Sequence, residues 1–348
     1  MTTRYYFASL RHTNQGIAQG CINEIEDTLL SCSEGAYLSG DNLPDSNQVG
    51  NKFLFVTAMT IHQVCQILDS IDNWRTRFDK VCAYVTDSFI SESDYNKSPW
   101  RKRFSKSMKT IGMLDYIFIS TGSNVAEFQE FYNIPAMFIP IACDVVKFGS
   151  SNSNRFIDIN GYGRQDPEIS ALLADIYNKP GTPDIYYHTD HMQTMSVKNH
   201  QQQRYLFWKI LQQSKILLAY DPVKADTSNR FKFSFVALRW MEGITAGCLV
   251  VGKRPDCKEA EELLFWEDST IELPDEINAI PGSIRTLLED TQHVEAIRNR
   301  NYLHALKYHD WRYRFADIHS ALGLEYPQAL VNELAAIKES AQSIENAS

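Results

Sequence analysis

Ten short apolar runs, rich in β-branched and aromatic residues, alternate along the chain with longer segments whose apolar residues recur at helical spacing. Strands buried on both faces read as continuous apolar runs, and strands separated by helix-length segments return through right-handed crossovers, so the alternation predicts parallel sheets covered by helices. In the first half the strand candidates are 4–10, 52–58, 80–86, 116–120 and 136–140. In the second they are 156–160, 184–188, 215–220, 248–252 and 269–273, with helices near 166–177, 201–213, 235–246 and 256–265. Between 143 and 155 the apolar pattern gives way to Ser, Asn and Gly, as in a linker. The pattern divides the chain into a domain over 1–150, a second over 151–325, and a closing helix with a frayed tail over 326–348. Open parallel sheets bind ligands at the carboxyl ends of their strands, so two α/β domains facing each other predict a cleft between them.

Composition narrows the partners. The 348 residues carry 34 Lys+Arg against 43 Asp+Glu, a net charge of −9, which excludes a surface that tracks nucleic acid phosphates throughout. The seven cysteines form no C-x-x-C pair and sit mostly in apolar runs, so they read as buried, reduced thiols of a cytoplasmic protein. The N-terminal segment lacks the order of a signal peptide, and no run approaches the length of a membrane span. No G-x-G-x-x-G, P-loop or G-x-S-x-G motif is present, which removes the main support for dehydrogenase, NTPase and hydrolase readings.

The segment "SFVALRWMEGITAGCLVVGKRP" (234–255) places Arg239 and Glu242 three apart on one helix face, ahead of small residues and an apolar strand. It resembles the R-x-x-E-x-x-x-x-G signature of nucleotide-sugar glycosyltransferases of the two-domain GT-B fold, closest to the group 1-like, spore-maturation-type proteins. "ACDVVKFG" resembles the element ending the family's first domain. "FIDINGYGRQDPEISALL" resembles the strand, turn and helix that open the second, and the segments "QRYLFWKILQQSKILLAY" and "IRNRNYLHALKYHDWRYRFADI" extend the likeness.

The resemblance implies α/β architecture with two Rossmann-like domains, parallel sheets facing across a cleft, and transfer of a hexosyl-type sugar from a UDP- or GDP-linked donor, as in polysaccharide biosynthesis. No other cofactor and no catalytic metal are implied. Glu242 would accept both ribose hydroxyls, a bidentate task suited to a carboxylate. Arg239 and Arg164, beside Gly163, would face the diphosphate, with Asn229, Arg230 and Lys253 as further contributors. Many retaining relatives carry a second glutamate eight residues before the ribose-binding one, and here that position is Ser234, which leaves retention or inversion open. In the acceptor-side first domain, His12 follows the first strand and would take the acceptor's proton, oriented by Asp87.

Two other groups of residues stand out. His188, Asp190 and His191 offer imidazole and carboxylate, but zinc would need ligands that the sequence does not place. Trp100, Phe104, Met108 and Ile111 form one helical stripe flanked by Arg101, Lys102, Arg103, Lys106 and Lys109. This basic amphipathic segment fits peripheral contact with the anionic inner face of the membrane, an anionic acceptor, or simple packing on the sheet. Nucleic acid is not implied. Two alternatives to transfer stay open: a nucleotide-sugar 2-epimerase-like enzyme of the same fold, and a non-catalytic sugar-nucleotide-binding scaffold.

Overall fold

All seven residues of Lys52–Ala58 are buried, so the strand that they form meets water on neither face. The computed structural model describes residues 3–14, 16–45, 50–86, 107–163, 165–189, 197–225 and 233–347. They group into two units, 1–141 with 311–334 and 142–310 with 335–348.

In the first unit β1 (Arg4–Ala8), β2 (Ala36–Tyr37), β3 (Lys52–Ala58), β4 (Lys80–Val85), β5 (Tyr116–Ile119) and β6 (Ala136–Phe138) form a parallel sheet in the order β2-β1-β3-β4-β5-β6. The chain leaves β1 through helix α1 (Gln19–Ser31), whose Ile22, Ile25 and Leu29 are buried, and reaches β2 at the sheet edge. It then recrosses to β3, held by α2 (Ile61–Asp69), on the other side of β1. β2 has only two residues, too few for a sequence pattern, and β1 stops at Ala8 because a turn follows, with Thr13 N–H donating to Leu10 O.

In the second unit β7 (Ile157–Gly161), β8 (Tyr186–His188), β9 (Ser214–Tyr220), β10 (Leu249–Lys253) and β11 (Ile271–Glu272) form a parallel sheet in the order β11-β10-β9-β7-β8. Here the order reverses between β7 and β9, and the carboxyl ends of these two strands lie where such sheets bind ligands. The expected helices appear as Pro167–Tyr177, His200–Gln212, Leu238–Thr245 and Lys258–Leu263. Among the described residues no helix is long and apolar enough to cross a membrane.

The division of the chain differs from the expected 1–150, 151–325 and 326–348 in three places, the third being the closing helix Gln328–Ala347, which groups with the first unit up to 334 and with the second from 335. Residues 142–150 pack with the second unit: Phe148 stacks on Trp208 with ring centroids 4.7 Å apart, and Val145 N–H donates to the Asp310 carboxylate at 2.8 Å. The helix Trp311–Leu322 packs with the first, since fully buried Phe315 meets Phe55 and Phe7, Trp311 meets Tyr84, and His319 Nε2 is 2.9 Å from the Tyr5 hydroxyl. Neither attachment follows from periodicity, because a helix's apolar stripe does not say which sheet it covers.

The expected linker is also docked in place. Buried Arg155 donates to Ser214 O, Ala246 O and Asn152 O at 2.7–2.9 Å, and Arg298 donates to Gly247 O at 3.0 Å and Asn152 O at 2.5 Å. Two guanidinium groups thus satisfy backbone carbonyls that burial would otherwise leave bare. Burial, with Arg155 nearby, lowers Arg298 to about 10. Gly247 at the centre of this knot has φ +64°, and a Cβ there would lie 2.2 Å from Ser150 O. Gly247→Ala is expected to destabilise the second unit by about 1–3 kcal/mol, read as a lowered urea midpoint, because both the left-handed backbone and the close approach exclude a side chain.

Candidate functional site

The helix Leu238–Thr245 buries six of its eight residues, Trp240 to Thr245, including the charged Glu242 at 3% exposure. It lies close on the sheet because Gly243 has no side chain: a Cβ there would meet Leu217 Cδ2 at 2.6 Å and Val250 Cγ2 at 2.9 Å. A buried carboxylate needs donors. Arg204 Nη2 donates to Glu242 Oε1 at 2.8 Å, both side chains being almost wholly buried, and the Tyr162 hydroxyl donates a short hydrogen bond to Oε2. Each oxygen keeps a further lone pair, which is the capacity that two ligand hydroxyls would use.

The surrounding geometry follows from the switch between β7 and β9. Tyr162 comes directly after β7, and burial together with the Glu242 carboxylate pushes its phenol well above the usual tyrosine range, so it remains a donor. The Arg239 guanidinium lies over the Tyr162 ring, 5.0 Å from its centroid. Gly163 has φ +74° and donates its N–H to Thr189 Oγ1 at 2.8 Å, and a Cβ there would lie 2.2 Å from Arg239 Nη2. The turn after β7 therefore has to be glycine for Arg239 to occupy its place. At the end of β9, fully buried Asp221 accepts from Val223 N–H at 3.0 Å and from the Ser234 hydroxyl at 2.5 Å.

Of the residues expected at the donor site, the structure brings Gly163, Arg239 and Glu242 together. Lys253, at the end of β10, pairs instead with the exposed Asp275 at 2.6 Å. Arg164, Asn229 and Arg230 lie outside the described residues, as do Asp87, Asp190, His191 and the basic stretch Trp100, Arg101, Lys102, Arg103, Phe104 and Lys106. From that stretch onward Met108 and Lys109 are exposed, while Ile111 is buried in the core of the first unit. His188 stacks on Tyr186 with centroids 4.8 Å apart, and among the described residues no three His, Cys, Asp or Glu side chains gather to hold a metal ion.

Three members of the cluster were not singled out from the sequence. Arg204 carries a readable signal, a charge on the stripe that it shares with buried Trp208 and Leu211. Asp221 stands between an apolar strand and Pro222, a common way to start a helix. Tyr162 carries none, because its role depends on Glu242, 80 residues away.

In the first unit His12 is exposed in the turn after β1 and lines a cavity in that unit. Glu26 of α1, fully buried, lines the same cavity; burial pushes its carboxyl up to about 7, against the opposing pull of the Ser9 hydroxyl and Arg11.

Residues 181–320, the span that holds Arg204, Asp221, Arg239, Glu242 and Lys253, match a family model described as glycosyl transferase-like. No curated protein matches the sequence. Among solved structures the chain is similar to HepE of Anabaena in complex with UDP and glucose, with a TM-score of 0.54 at 12% identity over 93% of this chain and 100% of that one. HepE in complex with UDP-glucose gives a TM-score of 0.54 at 11% identity over the same shares of the two chains. The apo structure of OtsA gives a TM-score of 0.50 at 9% identity, over 92% and 99% of the two chains. The expected fold class, two Rossmann-like parallel α/β units of the GT-B type, is borne out, and so is the resemblance to group 1-like glycosyltransferases.

Two outcomes test the energetics of the cluster and of Glu26. Arg204→Met leaves the buried Glu242 carboxylate short of its charged partner and is expected to cost about 3–5 kcal/mol, with part regained in Arg204→Met/Glu242→Gln, measured by urea unfolding. Glu26 has its folded value above the unfolded one, so the stabilisation it contributes is complete below about 4.5 and fades as pH rises through about 7. Wild-type melting temperature should therefore fall across that window more steeply than that of Glu26→Gln.

Proposed function

We propose that this protein moves a sugar from a nucleoside diphosphate donor, held by the second unit, to a hydroxyl acceptor received by the first. The observation that carries the reading is the buried set of Tyr162, Arg204, Arg239 and Glu242 at the switch between β7 and β9, lying in and beside the span that matches the glycosyl transferase-like family. HepE, similar in fold, is described in complex with UDP-glucose.

In this reading Glu242 takes the ribose hydroxyls on its remaining lone pairs, and Arg204 and Tyr162 fix its two oxygens so that no reorganisation is needed when the ligand arrives. Arg239, held between the Tyr162 ring and Gly163, supplies positive charge to the diphosphate, which gains negative charge as it leaves. Arg164, Asn229, Arg230 and Lys253 contribute further donors, with Lys253 giving up its exposed pairing with Asp275, an interaction of little worth in water. His12 accepts the proton of the attacking hydroxyl and Asp87 orients it. The finer assignments belong to the same proposal: a hexosyl group, a UDP- or GDP-linked donor, no catalytic metal and no other cofactor, and a cytoplasmic protein whose Trp100, Arg101, Lys102, Arg103, Lys106 and Lys109 meet either the anionic inner face of the membrane or an anionic acceptor.

A second reading, sugar-nucleotide binding without turnover, is favoured by Ser234. It stands where many relatives carry a glutamate, and its hydroxyl is engaged by Asp221. Turnover of a nucleotide sugar in the presence of an acceptor panel separates the two, and product formation without any acceptor points to an epimerase.

Calorimetric titration with UDP and GDP tests the donor site. Saturable binding of one of them is expected, weakened about tenfold or more in Glu242→Ala, since hydrogen bonds to a charged group contribute roughly 1.5–3 kcal/mol. Absence of binding by both, or affinity untouched in Glu242→Ala, overturns the reading.

A further inference from the structure

The turn that follows β7 has its backbone donors already committed. Tyr162 N–H donates to Asn160 Oδ1 at 3.2 Å, and Gly163 N–H donates to Thr189 Oγ1 at 2.8 Å. A loop that binds phosphate through its backbone needs those N–H groups turned to the ligand. Here both are turned to side chains, so an anion arriving at this turn has to be met by side-chain donors. Arg239 is one, since its guanidinium lies against Gly163.

The two side chains that accept from the turn differ in what they can pass on. Asn160 is buried and gives its Nδ2 to the Ser214 hydroxyl at 2.9 Å. Thr189 is half-buried and stands directly after β8, the strand beside β7. A backbone N–H can only donate, so the Thr189 hydroxyl accepts at Gly163 and its own proton points elsewhere. Among the described residues none accepts that proton. The strand end that carries Thr189 is held in place. Tyr186 N–H donates to Asn178 Oδ1 at 3.0 Å, Asn178 Nδ2 donates to Tyr186 O at 2.8 Å, and His188 stacks on the Tyr186 ring.

We infer that the Thr189 hydroxyl is a binding group for the donor's diphosphate: it accepts from Gly163 N–H and donates to a phosphate oxygen that Arg239 also meets. The inference rests on the proposed function and deepens it. A phosphate oxygen accepts hydrogen bonds and gives none, which suits a hydroxyl whose proton alone is uncommitted. A hydroxyl that already accepts is polarised towards donating, so Thr189 hands the dipole of the Gly163 amide on to the ligand. Thr189 and Arg239 both meet Gly163, so a diphosphate, with oxygens on two phosphorus atoms, can engage both. Arg239 supplies charge, and Thr189 supplies a directed donor that costs no side-chain ordering when the ligand arrives.

Calorimetric titration of the full-length protein with UDP, GDP and inorganic pyrophosphate, and with the free nucleosides for comparison, tests the role of Thr189. Thr189→Val, similar in shape but without the hydroxyl, is expected to bind the nucleotide and pyrophosphate about tenfold more weakly, and Thr189→Ser to stay within about threefold of wild type. The nucleoside should bind all three chains alike. In the wild-type chain labelled with 15N, the Gly163 amide resonance should move with the nucleotide and with pyrophosphate and stay in place with the nucleoside, a readout that holds even where a variant misfolds. The inference is overturned by unchanged nucleotide affinity in Thr189→Val, by a loss that extends equally to the nucleoside, by failure of Thr189→Ser to restore binding, or by a Gly163 resonance that pyrophosphate leaves in place. A wild-type chain that binds neither UDP nor GDP refutes the proposed function and the inference together, whereas nucleotide binding indifferent to Thr189 refutes the inference alone.

Discussion

Taking a carboxylate out of water costs several kcal/mol unless donors replace the solvent, and the second unit is arranged around meeting that requirement at Glu242. Arg204 comes from the helix before β9, Tyr162 from the end of β7, and Glu242 from the helix before β10. Three segments of the chain must therefore be in register for one side chain to be tolerated. Gly243 allows that helix to approach the sheet, and Gly163 clears the space that Arg239 fills. The glycines, the aromatic ring and the ion pair are parts of one constraint.

The same physics recurs with cations. Arg155 and Arg298 are buried against backbone carbonyls at the turn 246–248 and at the segment 150–155, and they convert a stretch with the composition of a linker into part of the second unit's body. Burial lowers both arginines from their usual value. Hydrogen bonds to charged donors are stronger than neutral ones, which suits a segment with few apolar side chains to hold it. In the first unit Glu26 is left with one oxygen unmet, and burial pushes its carboxyl up. The two buried glutamates differ in their donors: Glu242 has a donor on each oxygen, while both of the donors to Glu26 fall on Oε2.

Much of the architecture was legible because buried parallel strands leave a direct mark on the sequence. Lys80–Val85 and Leu249–Lys253 appear as apolar runs within a residue or two of their observed limits. The helix carrying Arg239 and Glu242 was legible as a motif, and the family match covers it. Tyr162 was not, since a tyrosine after a strand is ordinary until a carboxylate 80 residues on is placed beside it. Nor was the docking of Trp311–Leu322 on the first sheet: Phe315 and His319 mark a buried face but do not name the partner, which here includes Tyr5 at the other end of the chain.

The sequence by itself determined that there are two parallel α/β units, where most strands begin and end, and that Arg239 and Glu242 lie on one helix face, because these depend on local periodicity and spacing. Tertiary structure alone decided which donors meet Glu242, that Lys253 pairs with Asp275, that the 143–155 segment is docked, and that both donors to Glu26 fall on one oxygen. Those outcomes depend on which distant side chains burial brings within hydrogen-bonding distance, and no spacing along the chain records it.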